Sequence, residues 1–275
     1  MFPNVIVIGA MKSGTSSLFN YLDLHPEISM SKKKETDYFI KEKNFKKTVN
    51  WYRSFFELEN GDIVGEASPN YTKRHMFKGV PNRIYEFNPN AKLIYIVRDP
   101  YVRILSHYIH NYANGRESNN FEDSIKKNKN YILTSKYYYQ LEPYLSKFNE
   151  ESILLIVAEK MFQKTDLVLE KVFEFLGVEK SFVHPDFEKQ HRSKKTKRTR
   201  RSIYKRYIRR YERYLQKIFP VDIEPILPDF LTREQEFEFP ILTNSTEEFL
   251  YNELCKDFKM LKNYIDLDYE DWRIS

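Results

Sequence analysis

Three short apolar runs recur along the chain, at residues 5–8 (VIVI), 93–97 (LIYIV) and 153–157 (ILLIV). Each is rich in β-branched side chains and has no alternating polar face, the pattern of a strand covered on both sides. Ile63 and Val64 are read as a shorter fourth strand. Between these runs the apolar periodicity predicts helices over 15–24, 100–111, 135–148 and 165–176. Pro143 is expected to bend the third, and Gly177 to close the last as a C-cap. Strands alternating with helices specify an α/β domain, a central parallel sheet flanked by helices. Further helices are predicted over 202–218 and 246–264, the second opening on a capping box from Ser245 to Glu248. No repeat, linker or composition shift divides the chain, so residues 1–275 are read as a single P-loop-like domain.

Composition removes several classes. The longest strictly apolar stretch, residues 5–11, is far short of a membrane span, and no basic segment precedes it to make a signal peptide. A single cysteine, Cys255, forms no intrachain disulfide, and no Cys/His cluster has zinc-like spacing. These features lead to the expectation of a cytoplasmic protein with no membrane span and no metal. Glycine is scarce, at 7 residues in 275, so each is expected where the backbone needs it. Two of them bracket the turn that follows the first strand.

That turn, residues 9–16, reads GAMKSGTS. Successive amides and a helix N-terminus at such a strand-to-helix turn face an anion and suit a phosphate. A Walker A loop would place lysine directly after the second glycine; here Thr15 stands there and the lysine is Lys12. Nor is there a Walker B strand, because Arg98 precedes Asp99 after the run at 93–97. Magnesium-dependent nucleotide hydrolysis is therefore disfavoured.

The segment Lys12-Ser13-Gly14-Thr15 resembles the 5′-phosphosulfate loop of the sulfotransferases that use 3′-phosphoadenosine 5′-phosphosulfate (PAPS). Their second motif, R-D-P-x-x-R-x-x-S-x-Y, is matched at every fixed position by residues 98–108, RDPYVRILSHY. The resemblance implies that Lys12, Ser13, Gly14, Thr15 and Ser16 hold the 5′-phosphosulfate, and that Arg98 and Ser106 hold the 3′-phosphate. A guanidinium presents a fixed fork to phosphate that an ammonium lacks. Arg103 and Tyr108 are read as packing and salt-bridge residues, and His107 and His110 as packing or surface residues rather than metal ligands.

After the first helix the chain runs LHPEISMSKKKETDYF, which resembles the heparan-type glucosaminyl sulfotransferases. The resemblance places the general base at Glu35 and gives Lys12 a catalytic role at the departing phosphate. Two positions differ from that pattern: Asp37 stands where the family has histidine, and Ala67 where EASPNY would carry the family's active-site lysine. The missing positive charge is expected from Lys33 or Lys34, or else the acceptor differs. Asp37 and Glu66 are the competing bases nearby. Ser135, Lys136, Tyr139 and Leu141 fall where the family helix lines the cleft.

Residues 192–213 carry twelve Lys/Arg and one acid, Glu212, a net +11 in a chain of net +6. Three readings apply: a basic lid over the cofactor, spanning about 190–214 with Arg198 and Arg200 as its contacts; a surface for an acidic glycan; or a nucleic-acid patch. The expected function is metal-free, in-line sulfuryl transfer from PAPS to a hydroxyl or amine of a carbohydrate or related small molecule. No specific nucleic-acid partner is expected. The alternatives are a P-loop kinase and a polyanion-binding protein that uses the basic run.

Overall fold

The computed structural model describes residues 3–57, 63–187 and 243–265, with short pieces at 198–199, 234–235, 240 and 272–274. Five strands, β1 (Val5–Gly9), β2 (Ile28–Met30), β3 (Ile63–Ala67), β4 (Lys92–Val97) and β5 (Ile153–Val157), pair in the order β2-β3-β1-β4-β5. All four pairings are parallel. The predicted α/β architecture is therefore present. The three-residue strand β2, too short to leave a pattern, is an addition to it.

The strands are apolar throughout because helices cover both faces of the sheet. Ile6 and Ile8 of β1, with Leu93, Tyr95 and Val97 of β4, point into one core; Val5 and Val7, with Ile94 and Ile96, point into the other. Helices α1 (Thr15–Asp23), α8 (Ala158–Gln163) and α9 (Thr165–Leu176) close the second core. On α9, Leu169, Val172, Phe173 and Leu176 lie at helical spacing on one buried stripe. Gly177 ends that helix at φ 82°, with its N–H on the Phe173 carbonyl at 2.8 Å, as expected of a C-cap.

The first core is covered by α3 (Val80–Phe87), α4 (Pro100–Ala113), α7 (Tyr137–Leu145) and α10 (Asn244–Leu261), and by the segment from Tyr38 to Phe56, which includes α2 (Val49–Arg53). Short helices α5 (Phe121–Lys127) and α6 (Asn130–Leu133) link α4 to α7. Pro143 lies inside α7, where it leaves the Tyr139 carbonyl without its helical donor; Arg74 Nη1 fills it at 3.0 Å. Helix α10 begins earlier than its capping-box pattern suggests. Its N-cap is Thr243, whose hydroxyl accepts the Thr246 N–H, so the expected Ser245–Glu248 box is not the cap. The expected helix over 202–218 lies outside the described residues.

Candidate active site

The segments that carry Lys12, Glu35 and Arg98 each leave the C-terminal end of a strand, β1, β2 and β4. β1 sits between β3 and β4, with the strands that follow it in sequence lying first on one side and then on the other, the switch position at which parallel α/β sheets bind ligands. After β1, Gly14 takes φ 101° and caps α1 with no side-chain bond. A Cβ at Gly14 would meet Phe162 at 2.8 Å and Met161 at 2.9 Å, so only glycine fits. The first-turn amides of Thr15, Ser16 and Ser17 have no intrahelical acceptor and no acidic neighbour in that turn. Ser13 is fully buried. Lys12 adopts φ 70°, which turns the loop back on itself. Its ammonium has no ion-pair partner among the described residues. Burial, then Arg98 and Lys34, holds its pKa below the ordinary lysine value.

The second motif divides its labour. Asp99 is structural: its Oδ1 accepts the N–H groups of Tyr101 at 2.7 Å and Val102 at 3.2 Å, capping α4. Pro100 occupies the first turn, where it loses no bond. Arg98 reaches across to the phosphate loop and donates from Nη1 to the Lys12 carbonyl at 3.3 Å. The buried Tyr137 hydroxyl accepts the Arg98 N–H at 3.3 Å and donates to the Arg98 carbonyl at 2.8 Å. Glu159, in the first turn of α8, lies 3.8 Å from Arg98 Nε and accepts the Asp99 N–H at 3.1 Å. The two motifs, separate in sequence, therefore meet at the ends of the neighbouring strands β1 and β4. Ser106 lies half-buried on α4, one turn beyond Arg103.

Arg103 is fully buried, as a packing residue should be, but forms no salt bridge among the described residues. It donates to the Ser135 hydroxyl and to the Tyr131 carbonyl at 2.5 Å. Burial lowers its pKa to about 10. His107 is buried against the Tyr131 ring, and burial with Arg103 and Lys73 nearby pushes its pKa to about 2. Among the described residues, no group of three or more His, Cys, Asp or Glu is placed to hold a metal ion.

The three acidic candidates differ sharply. Glu66 is fully buried and accepts four hydroxyls: Tyr52 at 2.6 Å and Tyr71 at 2.9 Å on one oxygen, Thr36 at 2.5 Å and Ser68 at 2.8 Å on the other. Desolvation raises its pKa against those four donors. Asp37 pairs with Lys43 and accepts Asn70 Nδ2 at 3.1 Å. Glu35 alone keeps an exposed carboxylate, 48% accessible, with one ion pair to Lys34 at 3.1 Å. Its N–H donates to the Ala67 carbonyl at 2.9 Å, which holds it at the end of β3 with φ 63°.

Other expectations fare unevenly. Leu141 is core, while Ser135, Lys136 and Tyr139 are taken up by Arg103, Glu253 and Arg74, so that stretch packs rather than lines the cleft. Lys33 lies over the Trp51 and Phe55 rings at 5.8 and 5.5 Å. Arg198 falls in a two-residue strand, β6 (Arg198–Thr199), paired antiparallel with β7 (Glu234–Gln235) beside α4. Arg200 and the rest of the basic run at 190–214 lie outside the described residues. Lys73, Glu159 and Tyr137 were not among the expected site residues; they become neighbours only through strand order.

Comparison with known proteins agrees with this architecture. A sulfotransferase domain model matches residues 2–220, and the chain belongs to that family. It is 30% identical over 190 residues to heparan sulfate glucosamine 3-O-sulfotransferase 5 of Mus musculus, covering 64% of this chain and 54% of that protein. It is 43% identical over 113 residues to the membrane-associated sulfotransferase kil1 of Dictyostelium discoideum, covering 38% of this chain and 22% of that one. The chain thus spans about half the length of the first relative and about a fifth of the second. A solved sulfotransferase from Alicyclobacillus acidocaldarius superposes with TM-score 0.61 at 25% identity, over 82% of this chain and 98% of that one.

Proposed function

We propose that this protein is a PAPS-dependent sulfotransferase acting on a hydroxyl, or an amine, of a carbohydrate or related small molecule. The observation that carries the reading is the junction of the two motifs: Arg98 bonded to the backbone of Lys12, beside a glycine-capped helix start and a lysine with no ion-pair partner among the described residues. The cradle fits an anion with a second phosphate nearby. In this reading Lys12, Ser13, Gly14, Thr15 and Ser16 hold the 5′-phosphosulfate, and Arg98 and Ser106 hold the 3′-phosphate. Arg198 and Arg200 remain proposed lid contacts. PAPS supplies the sulfuryl group. Lys12 stabilises negative charge as it grows on the departing phosphate oxygen, where a preorganised cation is worth most. Glu35 takes the proton of the attacking acceptor. Atoms balance: one S–O bond forms to the acceptor, one breaks to 3′,5′-bisphosphoadenosine, and the proton leaves on Glu35.

The heparan-type relatives motivate the carbohydrate acceptor. A single domain over 1–275 and a cytoplasmic location belong to the same reading; the free Cys255 fits a reducing compartment. The kinase alternative is not favoured, because the lysine stands before the turn rather than after it. The first prediction is thermal: bisphosphoadenosine at a hundredfold its Kd stabilises the chain by about 2.7 kcal/mol. ATP with magnesium does so less, and duplex DNA does not exceed it. Labelled PAPS with a panel of oligosaccharides then identifies the acceptor. Stronger stabilisation by ATP with magnesium would sink the reading.

A further inference from the structure

Lys73 follows β3 and a short 3-10 turn (Pro69–Thr72), with only 7% of its surface exposed. The backbone there is pinned: its N–H donates to the Asn70 carbonyl at 3.0 Å, and its carbonyl accepts from Met76 and Phe77. Among the described residues its ammonium meets one acceptor, Met11 Sδ at 3.0 Å, and no carboxylate at ion-pair distance. A thioether is a weak acceptor. A buried ammonium without an anion is costly, and folded proteins otherwise pair such charges. Asp37, the near carboxylate, is already held by Lys43 and Asn70.

Position gives the unpaired charge a purpose. Met11 immediately precedes Lys12, so Lys73 touches the phosphate loop itself. On its other side it lies within electrostatic reach of Glu35 and Asp37. The two lysines expected to replace the charge absent at Ala67 are otherwise engaged, Lys34 with Glu35 and Lys33 over two aromatic rings. We propose that Lys73 is a second active-site cation, contacting the sulfuryl oxygens of the donor between Lys12 and Glu35. This rests on the sulfotransferase reading above and adds the residue that supplies the charge missing at position 67.

The charged groups around Lys73 are Arg103 from α4, Lys43, Asp37 and Glu35 from the loop after β2, and His75, His107 and His110, whose own protonation Lys73 opposes. Burial first, then Arg103 and Lys43, brings its pKa down to about 8. The ammonium is therefore mostly charged at pH 7 and mostly neutral at pH 9.

The test compares PAPS with 3′,5′-bisphosphoadenosine by calorimetric titration of the full chain, since the two differ by the sulfuryl group alone. Wild type is expected to prefer PAPS at pH 7, and that preference shrinks as pH rises to 9. K73M is expected to lose about tenfold in PAPS affinity while holding bisphosphoadenosine within about twofold. K73R keeps the preference at both pH values. Should K73M fold poorly, K73Q carries the same comparison, and the wild-type pH series needs no variant. A wild-type preference that ignores pH and survives in K73M or K73Q overturns the role of Lys73 while leaving the sulfotransferase reading intact. A wild type that binds neither nucleotide overturns both.

Discussion

At the scale of single residues, the three candidate acids have been given three different environments. Glu66 is buried beneath four hydroxyls, Asp37 is tied to Lys43 and Asn70, and Glu35 keeps an exposed carboxylate paired with Lys34. Glu35, Asp37 and Lys12 all hold left-handed backbone, at φ 63°, 49° and 70°. Such conformations cost about 1–3 kcal/mol each and persist where the surroundings impose them, often at functional sites. General-base help is worth about 10²–10⁴-fold. E35Q is expected to lose turnover by that order while binding bisphosphoadenosine normally, measured with labelled PAPS and the acceptor found by screening. E66Q sets an amide N–H₂ against hydroxyl donors and leaves some unsatisfied, at about 1–3 kcal/mol; it should lower Tm, with turnover per folded molecule retained. D37N serves as the third arm. Normal turnover in E35Q, with D37N folded and inactive, would move the base. Sequence ranked Glu35 first only through its resemblance to a family pattern; the separate environments of the three acids come from which of them β3 and the loop after β2 turn inward.

At the scale of elements, much was legible and the failures share a cause. The runs at 5–8, 93–97 and 153–157 became β1, β4 and β5 because burial on both faces writes itself into composition. The cap of α10 was misplaced by two residues, since Thr243 and Ser245 are both competent N-caps and tertiary contacts decide between them. The helix predicted over 135–148 contains α7, but nothing local marks its start at Tyr137. No side chain of its own caps it; Asp257, more than a hundred residues away on α10, accepts the N–H groups of Tyr138 at 3.0 Å and Tyr139 at 2.8 Å. Desolvation raises the Asp257 pKa from 3.8 to about 6 despite those bonds. The folded chain thus holds this proton more tightly than the unfolded chain does. Its contribution is complete below the unfolded value and is lost as pH rises through about 6. Urea unfolding at pH 4.5 and 7 should show wild type losing stability relative to D257N, by at most about 3 kcal/mol. D257A, which lacks the cap, should lie below D257N by about 0.5–2 kcal/mol. A wild type to D257N difference that does not move with pH would show that Asp257 ionises freely.

At the scale of the whole molecule, the parallel order β2-β3-β1-β4-β5 gathers the strand ends, and the C-terminal segment braces them from outside the sheet. Trp272 is buried at 3% exposure, packed on Phe258 and Tyr137. Its indole N–H donates to Glu159 Oε2 at 3.2 Å, and the Arg273 N–H donates to Asp99 Oδ2 at 3.0 Å. The other oxygen of Glu159 faces Arg98. Trp272 and Arg98 therefore share one carboxylate from opposite oxygens, and the indole N–H offsets part of the negative charge that faces the guanidinium. R98A should remove a charge-assisted contact worth about 1.5–3 kcal/mol to the 3′-phosphate, erasing the preference for bisphosphoadenosine over AMP. W272F keeps an aromatic ring in the packing but deletes the donor. Glu159 then has one fewer partner and holds Arg98 more closely. The expected result is a several-fold loss of bisphosphoadenosine affinity, less than one charged hydrogen bond is worth, with AMP unchanged. Titration of both nucleotides into wild type, R98A and W272F separates the cases. If W272F lowers Tm but keeps the full preference, the tail is packing alone. If it loses the preference in part and R98A loses it entirely, the far end of the chain sets the charge that reads the 3′-phosphate.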